Sequence, residues 1–139
     1  MPSSTMPTPA GSLPSGAYVL MVAMGGGICD FTGGIVGVTV PTNVQVAHSG
    51  NTIAVRPDDS TATFRMDLQM NGANLSGTAS GQYRSSATPV TVTGNDSDAV
   101  ATAAGIATGS GASGGFVGTV SIPNASCRGT GNSWALMPR

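Results

Sequence analysis

Apolar side chains recur at every second position along much of this chain, in short runs broken by glycine, proline and asparagine. The clearest run is Thr63 to Met70, where Phe64, Met66, Leu68 and Met70 alternate with Arg65, Asp67 and Gln69. A period of two gives a strand one dry face and one wet face. Asn71-Gly72 follows and predicts a hairpin, because both central positions of the favoured turn need positive φ. The return strand is Ala73 to Gln82. Pairing across Asn71-Gly72 sets Met70 opposite Ala73, Leu68 opposite Leu75, Met66 opposite Gly77 and Phe64 opposite Ala79. Large side chains then face small ones, as a strongly curved sheet with a narrow interior requires.

Other strands are read in the same way. Ala17 to Met24 puts Tyr18, Leu20, Val22 and Met24 on one face and Val19, Met21 and Ala23 on the other. Both faces are apolar, so this strand is a candidate for cover on both sides. Cys29-Asp30-Phe31 reads as a loop after Gly25-Gly26-Gly27. Ile35 to Val40 and Val44 to His48 form one bent strand or two short ones. Gly50-Asn51 makes a two-residue turn into Thr52 to Arg56, which places His48 opposite Ile53 and Val46 opposite Val55.

The second half alternates less. Pro89 to Gly94 is a short strand, and Asn95 to Asp98 is a polar turn. Ala99 to Ala107 is β by context, with Ala99 to Ala104 the one place for a helical turn. Thr108 to Gly115 reads as a flexible loop. Gly115 to Ile122 and Ser133 to Met137 complete the set, with Phe116, Trp134 and Leu136 on inward faces. Short strands at this spacing, joined by hairpin-like turns, predict an all-β fold. We expect an antiparallel up-and-down β-barrel of about eight strands over residues 17–139, with a Greek-key sandwich as the alternative.

Composition agrees with that fold. The chain has 139 residues, 21 of them glycine, and neither lysine nor glutamate. Those two residues dominate exposed helical faces. Charged residues are 8 % of the total and the net charge is −1, with no basic run to hold nucleic acid or an anionic membrane surface. No stretch is long and apolar enough to span a membrane as a helix. Met1 to Gly16 is rich in Pro, Ser and Thr and reads as an extended tether. We expect it to follow a removed export signal or lipid anchor.

Cys29 and Cys127 are the two cysteines. Free thiols and a metal pair are the alternatives to a disulfide. One histidine and no C-x-x-C spacing speak against a metal site, so the disulfide is preferred. It would link the first strong strand to the start of the last. It also implies an oxidising, extracytoplasmic compartment.

Gly16-Ala17-Tyr18-Val19-Leu20 opens the first strand, a cysteine follows it, a second lies near the end, and Trp134-Ala135-Leu136 closes the chain. Together these resemble uncharacterised bacterial lipoprotein-type barrel domains. The pattern is also similar to the calycin barrels, the lipocalins and avidins. Tyr18 stands where those families usually carry tryptophan, and the chain has one tryptophan where avidins use several. The resemblance therefore implies a barrel and no particular ligand.

Familiar catalytic patterns do not survive inspection. Gly109 to Gly114 matches G-x-G-x-x-G and Gly111 to Gly115 matches G-x-S-x-G, but the first needs a helix start and the second a strand-to-helix elbow. His48 reads as a strand-end residue without a serine partner. Asp58-Asp59 and Asp96/Asp98 read as turn aspartates bonding their own backbone, with a surface calcium site at the second pair as the alternative. The N-x-S triplets at Asn74, Asn95 and Asn124 matter only in a eukaryotic secretory pathway. We expect no enzyme, no cofactor and no metal site.

The expected function is therefore binding. Tyr18, Leu20, Phe64, Met66, Leu68, Phe116, Trp134 and Leu136 would face the barrel interior. They either fill it or line a site for a small apolar or amphiphilic ligand, with the methionines adapting to its shape. The alternative is a structural or adhesive surface module with a packed interior, self-associating or binding a surface protein. The outward residues Val19, Met21 and Ala23 favour that alternative.

Overall fold

The computed structural model describes residues 13–25, 28–31, 39–95, 99–123 and 125–139. Ten strands make up the sheet: β1 (Gly16–Ala23), β2 (Ile28–Phe31), β3 (Thr39–Ser49), β4 (Thr52–Pro57), β5 (Arg65–Asn71), β6 (Asn74–Ser85), β7 (Thr88–Thr93), β8 (Ala101–Ala107), β9 (Ala112–Ile122) and β10 (Ala125–Pro138). There is no helix among the described residues.

Two pairs of strands behave as single interrupted staves. β1 and β2 both pair with β10 and keep one register along it, from Tyr18 opposite Pro138 to Phe31 opposite Ala125. β7 and β8 both lie between β6 and β9. With each pair counted once, the ten strands form a ring of eight staves. Every stave bonds to its sequence neighbours, and β10 bonds back to β1. The sheet is thus antiparallel, up-and-down and barrel-like, with no Greek-key crossing.

The ring encloses one hydrophobic core. Alternate positions of every stave point into it, including Leu20 and Val22, Val44 and Val46, Ile53 and Val55, Met66 and Leu68, Val90 and Val92, and Trp134 and Leu136. Each large side chain buried there contributes on the order of 1.5–3 kcal/mol. Leu13, ahead of β1, is fully buried in the same core. The packed domain therefore reaches back to Leu13, into the stretch that composition reads as tether.

The β3–β4 hairpin has the expected register, with His48 opposite Ile53 and Val46 opposite Val55. The β5–β6 hairpin does not. Its turn is Gly72-Ala73, with Asn71 opposite Asn74, Met70 opposite Leu75, Leu68 opposite Gly77 and Met66 opposite Ala79. The reason lies in the turn backbone. Gly72 has φ 64° while Asn71 and Ala73 keep negative φ. Glycine thus takes the first of two turn positions, which is the type II′ preference, rather than the second position of an Asn-Gly turn. A slip of two residues keeps every side chain on its face. Large still faces small, because Gly81 takes the place opposite Phe64 and has no room for a Cβ beside the Phe64 Cα at 2.6 Å.

Three further expectations change. Cys29 lies in β2 rather than a loop, because β10 continues past Ser133 to Ala125 and offers a free edge to pair with. β9 begins at Ala112, so the second half of the Gly/Ser-rich stretch at 108–115 is strand. Ala99 to Ala104 holds no helical turn, and β8 begins at Ala101. Gly114 is opposite both Gly105 and Trp134, and a Cβ on it would strike the Ala104 carbonyl. Small residues are required at this close approach, so the stretch carries no hydrophobic alternation to reveal it as a strand. Of the run read from Ile35 to Val40 and the turn read from Asn95 to Asp98, residues 35–38 and 96–98 lie outside the described residues.

Candidate functional site

Tyr18, Leu20, Phe64, Met66, Leu68, Phe116, Trp134 and Leu136 all lie in the interior and are at most 4 % exposed. The structure brings all eight into one cluster. Their polar atoms are used internally. The Tyr18 hydroxyl donates to the Pro14 carbonyl at 2.7 Å, and Trp134 Nε1–H donates to the Gly115 carbonyl at 3.2 Å. Burial pushes the Tyr18 hydroxyl above its ordinary pKa. Tyr83, at the end of β6 and beyond the expected strand, also enters the core. Its ring meets Phe64 edge-on at 5.4 Å, and its hydroxyl donates to the Val40 carbonyl at 2.8 Å. Desolvation drives its pKa strongly upward.

The disulfide between Cys29 and Cys127 joins directly paired residues of β2 and β10. Beside it, Asn132 is the one buried polar residue among the described residues, at a point where β10 bulges against β9. Its amide nitrogen donates to the Cys127 carbonyl at 2.8 Å and to the Gly118 carbonyl at 3.4 Å, while its oxygen accepts from the Gly25 N–H at 3.3 Å. A bulge leaves backbone groups without ladder partners, and the asparagine supplies them. Asn95 helps from the far side by accepting from the Gly129 N–H at 3.2 Å.

His48 lies one residue before the end of β3, beside the turn, as expected. Its ring nitrogens lie 2.8 Å from the Leu13 carbonyl and 3.0 Å from the Gly50 carbonyl. Ser15 meets only its backbone, accepting from the His48 N–H at 2.8 Å. No nucleophile is aligned on the imidazole. Gly109 to Gly114 runs from a turn into a strand, so neither glycine motif has the helix its chemistry needs. Among the described residues no group of three His, Cys, Asp or Glu side chains could hold a metal ion. Asn124, Asp96 and Asp98 lie outside the described residues.

The rim of the ring carries an open cleft of 340 Å³ between β3 at Pro41–Asn43, the Asp58-Asp59 corner after β4, and the β6–β7 hairpin at Arg84 and Ser86. A smaller hollow of 90 Å³ shares Asp59 and Arg84 with it and is floored by Ala62 and Tyr83. Asp59 Oδ1 accepts from the Thr61 N–H at 2.9 Å and the Thr61 hydroxyl at 2.7 Å. These bonds, helped by the field of Arg84, hold its carboxyl below the usual range. Asp58 is instead neutralised by Arg139 at 3.0 Å and bonded by Gln45 at 3.3 Å. Ser86 has φ 57°, the only positive φ of a non-glycine residue among those described. Sequence reading finds Asp58 and Asp59 as turn residues but misses Asn43, Arg84 and Ser86. Ser86-Ala87 between two β-rich runs is the available signal for the hairpin.

The outer wall is uneven. The outward residues of β8 (Thr102, Ala104, Ile106), of the start of β9 (Ser113, Gly115, Val117), of the end of β10 (Ser133, Ala135, Met137) and of β1 (Val19, Met21, Ala23) carry no charge, while Arg128 stands exposed farther back on β10. Among the described residues, three of the four exposed large apolar ones, Ile106, Val117 and Met137, stand on this wall. The opposite wall holds the Arg56–Asp67–Arg65 triad, with contacts of 2.8 and 3.0 Å. The chain matches no protein-family model, no curated protein and no solved structure.

Proposed function

We propose that this protein is a non-enzymatic, extracytoplasmic interaction module whose outer surface, and not its interior, does the binding. One observation carries the reading: an uncharged patch over β8, β1, the start of β9 and the end of β10 lies outside an interior in which the inward side chains of the described strands are buried in one cluster. Such a wall of small and apolar residues suits close contact between sheets, whereas charged residues would have to be desolvated there. A ligand inside the ring would have to displace Trp134, Phe116 or Leu68, each at most 2 % exposed. The disulfide supports an oxidising compartment. The Pro/Ser/Thr-rich residues before Leu13 suit a tether to a surface.

The partner we favour is a second copy of the domain. Sedimentation at rising protein concentration tests this. The wild-type chain should form a reversible dimer, and the double variant Ile106→Asp/Val117→Asp should remain monomeric with unchanged folding. Monomeric wild type at every concentration would overturn self-association and leave a heterologous protein as the partner to seek.

A further inference from the structure

The rim cleft holds two opposite charges that are not joined in a direct ion pair. Asp59 and Arg84 both line it, yet they form no ion pair within 4.0 Å. Asp59 spends one oxygen on Thr61 and leaves Oδ2 without a partner among the described residues. Among the described residues Arg84 makes one hydrogen bond, from Nη1 to the Ala87 carbonyl at 3.2 Å, which leaves Nε and Nη2 available. The neighbouring acid, Asp58, is already matched by Arg139 and adds little free charge. Asn43 and Ser86 add neutral polar side chains to the same lining. A volume of 340 Å³ is at the small end of ligand sites.

We propose that this cleft binds a small zwitterion, with the ligand carboxylate on the Arg84 guanidinium and its ammonium on the open oxygen of Asp59. A lone anion would meet the Asp59 carboxylate and a lone cation the Arg84 guanidinium, so a single charge loses at one pole what it gains at the other. A molecule carrying both signs gains at each. A planar guanidinium edge can take a carboxylate through two parallel bonds. The hairpin serine at positive φ fits the same picture, since strained backbone gathers at ligand clamps. The inference rests on the reading that the outer surface binds and the interior does not.

Amide chemical shifts of the isotope-labelled domain, followed during titration with glycine or alanine, test the inference. Acetate, methylammonium and glucose are the comparison probes. Shifts at Asn43, Asp59, Arg84 and Ser86 should saturate at about millimolar concentration with the amino acids alone. Asp59→Asn keeps the acceptor for Thr61, and Arg84→Gln keeps a polar side chain. Each should weaken binding at least tenfold while the variant keeps a single cooperative urea transition, and Arg84→Lys should restore part of it. Saturable shifts with glucose or acetate of equal strength would overturn the zwitterion. No saturable shift with any amino acid would overturn the site and leave the outer-surface reading intact. Shifts confined to Leu68, Phe116 and Trp134 would overturn both.

Discussion

Trp134 and Gly105 are fitted to each other across an intervening strand. Trp134 sits on β10 and Gly105 on β8, yet a Cβ added to Gly105 would lie 2.7 Å from Trp134 Cζ2 and would strike the Ser113 carbonyl as well. The indole reaches this position because β9 presents Gly114 between them, opposite both. The largest side chain of the core is therefore accommodated by two glycines. Gly105→Ala should lose about 1–3 kcal/mol in urea denaturation, the range for overpacking a filled core. A neutral effect would mean that the interior has room to adjust.

The disulfide closes a loop with a sequence separation of 98. Restricting so long a loop in the unfolded chain is worth roughly 4–5 kcal/mol if the entropic account holds. The double variant Cys29→Ala/Cys127→Ala should lose a stability of this order, and reductant should lower the wild type to the same value. Because β2 pairs with β10 alone among the described strands, the reduced protein should also show faster hydrogen exchange at Ala125 to Arg128 than at Ala135 to Met137.

Asn132 acts as the fastener of the bulge in β10. Asn132→Ala removes the donor to the Cys127 and Gly118 carbonyls and the acceptor of the Gly25 N–H. Leaving such groups buried and unpaired should cost about 2–3 kcal/mol. Chemical denaturation measures the loss. An Asn132→Ala protein as stable as wild type would show that water replaces the amide.

Ser86→Gly should act in the opposite direction. Serine at φ 57° carries a steric penalty that glycine avoids. The substitution should raise stability by about 0.5–1 kcal/mol, read from the urea midpoint. It should also loosen the hairpin side of the rim cleft.

Acid should destabilise the domain through Asp67 and Asp59. Partial burial pushes the Asp67 carboxyl up, but hydrogen bonds from Arg56 and Arg65 outweigh it and hold the group below its ordinary pKa. The Thr61 hydroxyl and N–H do the same for Asp59. A carboxyl depressed in the folded state contributes stability above its unfolded value, near 4. That contribution is lost as pH falls through the folded value. Urea midpoints should be flat from pH 7 to about 5 and fall below about 4. Asp67→Asn should flatten part of that slope.

The hairpins and the inward faces were legible because alternation and glycine turns are local. Phe64, Met66 and Leu68 read as inward from three polar neighbours alone. The register of β5 and β6 was not legible, since Asn71-Gly72 and Gly72-Ala73 turns differ only in backbone φ. β9 was legible only from Gly115 onward. Its earlier residues pack by backbone approach, which leaves no apolar signature. The rim cleft was invisible because Asn43, Asp59 and Arg84 meet only when the ring closes. The core role of Leu13 depends likewise on the far end of β3, where its carbonyl meets His48.

The central claim is that the ring is filled by its own side chains. Native mass spectrometry of the purified, disulfide-intact domain, repeated with an excess of a fluorescent apolar probe, tests it most directly. The account predicts the mass of the polypeptide alone in every subunit and no saturable probe binding. A retained apolar molecule, or stoichiometric uptake of the probe that quenches Trp134, would contradict it and return the ligand site to the interior.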